Sequence, residues 1–161
     1  MVTVYLGLGS NLDQPIQHIK TALIELKTLP QTKWICASRL YHSAPMGPQD
    51  QPEYINAVAK INTALSANTL LEYIQYLEEQ HQRVRTRHWG ERTLDIDILL
   101  YGDATIKTPQ LTIPHPGLTE REFVLYPLYE IAPDLQLPSG VSLASCREHC
   151  PLQSLRALDI N

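Results

Sequence analysis

Residues 93–101, TLDIDILLY, form the stretch that decides the fold. Aliphatic and acidic side chains alternate along it, and the run stops at Gly102, which predicts a strand that ends in a turn. Because neighbouring side chains of a strand point to opposite faces, Asp95 and Asp97 share one face, and the aliphatic residues beside them share the other. This stretch is therefore predicted to be a half-buried strand with an acidic face.

The segments that precede this strand complete a pattern of alternating elements. By apolar spacing and by Gly and Pro signals they are predicted, in order, as strand, helix, strand, strand and helix, over residues 3–8, 13–30, 33–42, 54–63 and 67–84. With the strand at 93–101 the order is βαββαβ, which is typical of a ferredoxin-like α+β fold. Its antiparallel sheet would carry both helices on one face. The proline-rich remainder is predicted as a C-terminal extension of short strands and helices.

Composition bounds the class of protein. A chain of 161 residues is expected to form a single catalytic domain, 1–161. The net charge of −4 argues against a nucleic-acid partner, although four arginines lie within residues 83–92. The sequence shows no apolar run that would span a membrane and no signal peptide, so a cytoplasmic protein is expected. Its three cysteines are too few for a disulfide framework.

The acidic face of the strand suggests a metal site. Asp95 and Asp97 would lie roughly 7 Å apart and would repel each other without a cation. Carboxylate oxygens suit Mg²⁺, which keeps waters and accepts phosphate oxygens. The alternative is an edge strand whose solvent face happens to be acidic.

The arginine-rich segment before the strand points to a polyphosphate. Guanidinium groups match phosphate oxygens, and arginines beside a carboxylate pair are what phosphoryl transfer requires. A solvated helix end would explain one or two of these arginines, but not the intervening Trp89-Gly90. A dinucleotide motif fails, because the third glycine position of Gly7-x-Gly9 is Leu12, and no P-loop motif occurs.

Three further polar residues stand in unusual places. Asn56 lies among apolar neighbours in the third predicted strand and could hydrogen-bond the edge of a flat heterocycle. For Glu78 the pattern favours a solvated helix face, because unpaired glutamates are rarely buried. His115, between two prolines, is either a phosphate donor or a surface residue.

Several ordered motifs resemble one enzyme family. They are HWGERTLDIDIL at 88–99, GSNL at 9–12, PMGPQDQPEYINA at 45–57, PHP at 114–116 and REFVLYPL at 121–128. The chain is similar over residues 3–138 to the 6-hydroxymethyl-7,8-dihydropterin pyrophosphokinases of folate biosynthesis. The resemblance implies transfer of pyrophosphate from ATP to the hydroxymethyl group of the dihydropterin, leaving AMP.

The resemblance also implies roles for individual residues. The catalytic set would be Arg83, Arg92, Asp95 and Asp97, with both aspartates as ligands of two Mg²⁺ ions. The pterin-binding set would be Ser43, Ala44, Met46, Tyr54, Asn56, Trp89 and Phe123. The ATP-binding set would be Gln75, Glu78, Arg85, Trp89, Ile98, Thr112, His115 and Arg121. Its partners would be these two small molecules, and a monomer is expected.

Two other functions remain open on the residues alone. A ferredoxin-like binding module for RNA or a small effector is disfavoured by the acidic charge and by the lack of exposed aromatic patterns. A metal-dependent phosphohydrolase would use the same carboxylates and arginines.

Overall fold

The computed structural model describes residues 1–45, 50–81 and 93–158. The elements up to the fifth strand are β1 (Val2–Ser10), α1 (Pro15–Leu26), β2 (Thr32–Ala37), β3 (Tyr41–Ser43), β4 (Tyr54–Thr63), α2 (Ala67–Gln80) and β5 (Asp95–Tyr101). The elements after it are β6 (Ile106–Lys107), β7 (Thr112–Ile113), α3 (Glu122–Ile131), α4 (Leu143–Glu148) and β8 (Arg156–Ala157).

The main sheet of the described residues is antiparallel, and β1 lies within it between β4 and β5. Its strand order is β5-β1-β4-β3-β8, and β2 pairs with the other end of β4. The register sets Gly9 of β1 between Asn56 of β4 and Asp95 of β5. Residues far apart in the chain therefore meet at one end of the sheet.

Helices cover both faces of this sheet. On one face α1 and α2 bury Ile19 and Ile74 against side chains of β1, β4 and β5 that include Ile96. On the other face α3 and α4 pack Leu125 against Leu99 and its neighbours. These elements confirm the predicted mixed fold with an antiparallel sheet and helices. Helices can pack on both faces because apolar side chains alternate between two cores along the strands.

Both long helices begin at residues that suit a helix start. Pro15 occupies the first turn of α1, where a missing backbone N–H costs nothing. The Ser66 hydroxyl accepts a hydrogen bond from the Thr69 backbone N–H at 3.2 Å and so caps α2. Within the described residues no helix is both long and apolar enough to cross a membrane.

Some predicted boundaries were wrong. The single strand expected over residues 33–42 is two strands, because the chain leaves the ladder at Ser38, which exchanges hydrogen bonds with Val58 through its backbone N–H and its hydroxyl. The strand expected from residue 93 begins at Asp95. The predicted end of the second helix, at residue 84, lies outside the described residues, and α2 ends at Gln80.

Candidate active site

A cleft opens at the end of the sheet where β1, β4 and β5 meet the start of α3. Its volume is about 90 Å³. Its lining comprises Gly7, Leu8, Gly9, Ser43, Ala44, Tyr54, Asn56, Ala57, Asp95, Asp97, Leu99, Arg121, Phe123 and Val124. Acidic, basic and aromatic side chains therefore share one concave surface, which is typical of a small-molecule site.

The acidic part of the cleft comes from β5. Asp95 and Asp97 both line the cleft, whereas Ile96 between them is buried in the opposite core, as the alternation predicted. The Asp97 side chain is 58% exposed, so it is accessible to a ligand in solvent. The backbone N–H of Ile96 donates to Glu78 Oε2 at 2.9 Å, which fixes the strand between the two carboxylates.

His115 lies next to the carboxylates of the cleft. Its Nε2 lies 3.7 Å from Asp97 Oδ2. Its Nδ1 accepts a hydrogen bond from the Gly117 backbone N–H at 3.1 Å, so in the neutral ring the proton is on Nε2 and faces the cleft. Burial lowers the pKa of His115, and Arg121 lowers it further, whereas Asp97 raises it. The net lowering favours a neutral Nε2–H donor.

Arg121 approaches the cleft across a glycine. A Cβ atom placed on Gly117 would lie 2.4 Å from Arg121 Nε, closer than real contacts allow. The Arg121 backbone N–H donates to the Gly117 carbonyl at 3.0 Å. Gly117 therefore leaves the space in which the guanidinium group lies.

The other half of the cleft suits a flat polar ring. Tyr54 and Phe123 both line it, and Asn56 is 4% exposed. The Asn56 side-chain amide donates to Ser43 Oγ at 2.7 Å, which orients the amide from one side. An oriented amide beside two aromatic rings can combine stacking with hydrogen bonding to the edge of a heterocycle.

The structure gathers many of the predicted site residues into this cleft. Those that line it are Ser43, Ala44, Tyr54, Asn56, Asp95, Asp97, Arg121 and Phe123, with His115 adjacent. The predictions for Met46, Arg83, Arg85, Trp89 and Arg92 fall outside the described residues.

Four predicted ATP-binding residues lie away from the described lining of the cleft. Ile98 is 3% exposed in the core, whereas Gln75 and Thr112 are exposed on α2 and β7. Glu78 is 7% exposed, so the solvated face that the pattern favoured for it was wrong. The reason is that its carboxylate accepts the Ile96 N–H of the edge strand, a long-range contact that helical spacing does not reveal. ATP-binding roles for these residues remain predictions.

Sequence reasoning did not single out the floor of the cleft. Gly7 and Gly9 face it from β1, and a Cβ atom on Gly9 would lie 3.5 Å from Asn56 Oδ1. The two glycines at alternate positions of a strand were the available signal, since such a pattern marks a close approach of a ligand or another chain segment.

Two aspartates, two aromatic rings and an arginine line one cleft, with a histidine next to one of the aspartates, and such a cleft is of the kind used for group transfer between small molecules. Residues 5–133 match the family model described as 7,8-dihydro-6-hydroxymethylpterin-pyrophosphokinase. The chain belongs to this family. It is therefore a pyrophosphokinase, an enzyme that transfers pyrophosphate to hydroxymethyldihydropterin in folate biosynthesis.

Named relatives agree with this family. The chain is 52% identical over 140 residues to the 2-amino-4-hydroxy-6-hydroxymethyldihydropteridine pyrophosphokinase of Haemophilus influenzae, covering 87% of this chain and 88% of that one. It is 44% identical over 155 residues to the protein of the same name from Pseudomonas aeruginosa, covering 96% of each chain.

Solved structures share the fold. A Plasmodium falciparum HPPK-DHPS with pteroate aligns with a TM-score of 0.74 at 17% identity over 92% of this chain. A second, with SDX-DHP, aligns with a TM-score of 0.69 at 15% identity over 92% of this chain. The present chain spans less than half of those chains, 42% and 43%. At such low identity the likeness concerns the fold.

Proposed function

We propose that the cleft itself transfers pyrophosphate from ATP to the hydroxymethyl group of 6-hydroxymethyl-7,8-dihydropterin and leaves AMP. The observation that carries this proposal is the single cleft that holds a carboxylate pair and an aromatic slot together. The slot suits the pterin ring and the carboxylate end suits a metal–polyphosphate. We infer the reaction from the family to which the chain belongs, and the division of the cleft between two substrates from its geometry.

The pterin occupies the half formed by β4 and the start of α3. Tyr54 and Phe123 stack on its faces, and the Asn56 amide hydrogen-bonds its edge. Ser43 and Ala44 close the end of the slot, with Met46 and Trp89 as further predicted contacts. This arrangement would direct the hydroxymethyl group toward β5.

The acidic half fits a hard cation. Asp95 and Asp97 are the two carboxylates of the cleft, and the described residues contain no group of three or more His, Cys, Asp or Glu that could hold a metal. Two carboxylates without a third ligand suit Mg²⁺, which takes its remaining ligands from water and phosphate. Asp95 and Asp97 would hold two Mg²⁺ ions. When bound, these ions would neutralise phosphate charge and act as Lewis acids.

The remaining chemistry is positioning and charge neutralisation. The pterin hydroxyl oxygen forms a bond to the β-phosphorus of ATP, and the bond from that phosphorus to the oxygen of the α-phosphate breaks. AMP leaves with this oxygen, and the hydroxyl proton is released. A primary alcohol is a weak nucleophile, so alignment within the cleft provides much of the acceleration. Arg121 and the Nε2–H of His115 face the polyphosphate end, and Arg83 and Arg92 are the other predicted cationic contacts.

Gln75, Glu78, Arg85, Ile98 and Thr112 complete the predicted nucleotide site. Glu78 contributes there through the Ile96 backbone that it holds.

The wider architecture is proposed on the same basis. The strand order β5-β1-β4, with β2 and β3 taken as one interrupted strand beside β4, supports the proposal of a ferredoxin-like βαββαβ fold. Residues 1–161 form a single catalytic domain with a C-terminal extension, and the protein acts as a cytoplasmic monomer without a nucleic-acid partner.

The reaction is tested by incubating the purified protein with ATP, Mg²⁺ and the hydroxymethyldihydropterin. We expect AMP to form only when the pterin is present. Phosphate or ADP released without pterin would instead indicate a hydrolase, and absence of turnover would indicate a binding module.

The metal ligands are tested by Asp97→Ala. This variant should lose turnover by at least about 100-fold while its unfolding transition stays near that of the parent, because the Asp97 side chain is 58% exposed. Asp103→Ala, at an exposed turn after the same strand, is the matched control and should stay active. Turnover that survives in Asp97→Ala would contradict the assignment.

A further inference from the structure

Hydrogen bonds to one carboxylate, that of Glu122, hold the C-terminal segment 153–155 beside the cleft. Glu122 Oε2 accepts the Gln153 backbone N–H at 2.5 Å. Its Oε1 accepts the backbone N–H groups of Ser154 at 2.8 Å and Leu155 at 2.9 Å, and the Ser154 hydroxyl at 3.1 Å. Glu122 stands between Arg121 and Phe123, which both line the cleft.

The pKa of Glu122 agrees with a carboxylate that stays ionised while it accepts these hydrogen bonds. Burial by itself would raise the pKa of Glu122, but the hydrogen bonds from Gln153, Ser154 and Leu155 lower it below its ordinary value. A carboxylate that accepts several N–H groups is stabilised in its charged form. Glu122 therefore holds the segment as an anion at neutral pH.

Ser154 connects Glu122 to Ala44, which also lines the cleft. An ionised carboxylate only accepts, so the Ser154 hydroxyl proton points to Glu122, and the hydroxyl oxygen accepts the Ala44 backbone N–H at 3.0 Å. Ala44 and its neighbour Ser43 line the cleft, and Ser43 Oγ accepts the Asn56 amide. Three hydrogen bonds and the covalent link between Ser43 and Ala44 thus connect α3 to the oriented amide.

The residues that follow make two more contacts to the same region. β8 pairs with β3, with Tyr41 opposite Ala157 and His42 opposite Arg156. The Arg156 guanidinium forms a fork with the Glu53 carboxylate, with both distances 3.1 Å, directly before Tyr54. That ion pair is exposed and contributes little by itself. Together with the contacts of Glu122, it shows that the segment contacts the residues directly before Phe123 and before Tyr54.

We propose that Ser154 is a positioning residue for the pterin slot, acting through Ala44, with Glu122 as its anchor. The C-terminal segment thereby sets the separation of the strand end that carries Ser43 from the helix start that carries Phe123. The inference rests on the proposed pterin site for its functional consequence, and the Ala44 hydrogen bond is tested separately.

The test compares Ser154→Ala with Ser154→Thr, which keeps a hydroxyl, and with the control Ser139→Ala, which removes an exposed hydroxyl in the turn before α4. Loss of one hydrogen bond of ordinary strength corresponds to about a threefold to tenfold change in an equilibrium constant. We expect Ser154→Ala to raise the dissociation constant of the hydroxymethyldihydropterin, measured with a non-hydrolysable ATP analogue and Mg²⁺, by about that factor. KM for ATP should stay unchanged, and Ser154→Thr should restore pterin binding.

A second readout concerns the hydrogen bond itself. Amide hydrogen exchange at Ala44 should become about threefold to tenfold faster in Ser154→Ala and stay unchanged in Ser139→Ala. Unchanged exchange at Ala44, or pterin binding equal to that of the parent, would overturn the proposal. So would an equal loss of ATP and pterin affinity, which indicates general destabilisation. If the parent protein binds no pterin, the proposed function fails, and the exchange measurement still decides whether Ser154 holds Ala44.

Discussion

Glu78→Ala should destabilise the protein and disable the carboxylate pair together. Among the described residues β5 ends the sheet, so the N–H groups on its outer side pair with no further strand of that sheet. One of them, at Ile96, is paired instead with Glu78 Oε2 at 2.9 Å. Ile96 lies between Asp95 and Asp97, so removal of its partner releases the backbone that sets their orientation.

The magnitude follows from the loss of a buried hydrogen bond to a charged group. Such bonds stabilise a protein by about 1.5–3 kcal/mol, so we expect the free energy of unfolding to fall by about 2 kcal/mol. For a protein of this size that corresponds to about 4–8 °C in Tm. Glu78→Gln keeps an oxygen acceptor and should cost about 1 kcal/mol. Turnover should fall by about 10–100-fold in Glu78→Ala, because small displacements of reacting groups are costly.

Urea unfolding and AMP formation measure these two effects on the same samples. Glu79→Ala, which removes the neighbouring exposed carboxylate of α2, is the control and should change neither. If Glu78→Ala unfolds within about 0.5 kcal/mol of the parent and of Glu79→Ala, the edge of β5 does not depend on this contact and the reasoning is refuted.

Two further substitutions test other contacts of the structure. Gly117→Ala should lower kcat/KM about tenfold with little change in Tm, because its Cβ would lie 2.4 Å from Arg121 Nε and displace the guanidinium group; unchanged steady-state kinetics would contradict this. Burial and the hydrogen bond to Glu130 raise the pKa of Tyr41 from 10.0 to about 12, so the stabilisation by its neutral phenol is present below pH 10 and lost as the pH rises to 12. Urea midpoints of the parent should therefore fall through this interval more steeply than those of Tyr41→Phe, and equal slopes would refute the assignment.

The sequence predicted the parts of the fold that depend on local periodicity. The alternation at residues 93–101 placed both aspartates on one face and the aliphatic residues in a core, and the structure confirms this placement. The interruption between β2 and β3 was not predictable in the same way. It depends on hydrogen bonds between Ser38 and Val58, which are 20 residues apart in the chain. No local spacing encodes such a pairing.

The site shows the same division. Motif resemblance identified eight of the residues that line the cleft but not the glycines of its floor, and the burial of Glu78 depends on an N–H of another element. The segment after residue 138 lies outside the stretch that resembles the family, yet Ser154 and Arg156 contact the strand end and the loop that carry predicted pterin ligands. Their partners are 110 and 103 residues away, and only the folded chain brings them together.

The glycine-bearing strand β1 has a consequence for ligand design. Asn56, the proposed pterin contact, is on β4, the carboxylates are on β5, and β1 lies between these two strands. Neighbouring strands are about 4.8 Å apart, so the hydrogen-bonded sheet fixes a span of about 9–10 Å between the two half-sites. The linker of an inhibitor that joins a pterin to a nucleotide therefore has to span a fixed distance between the two half-sites. This linker has to match two strand spacings, and substitutions in surface loops will not change that requirement.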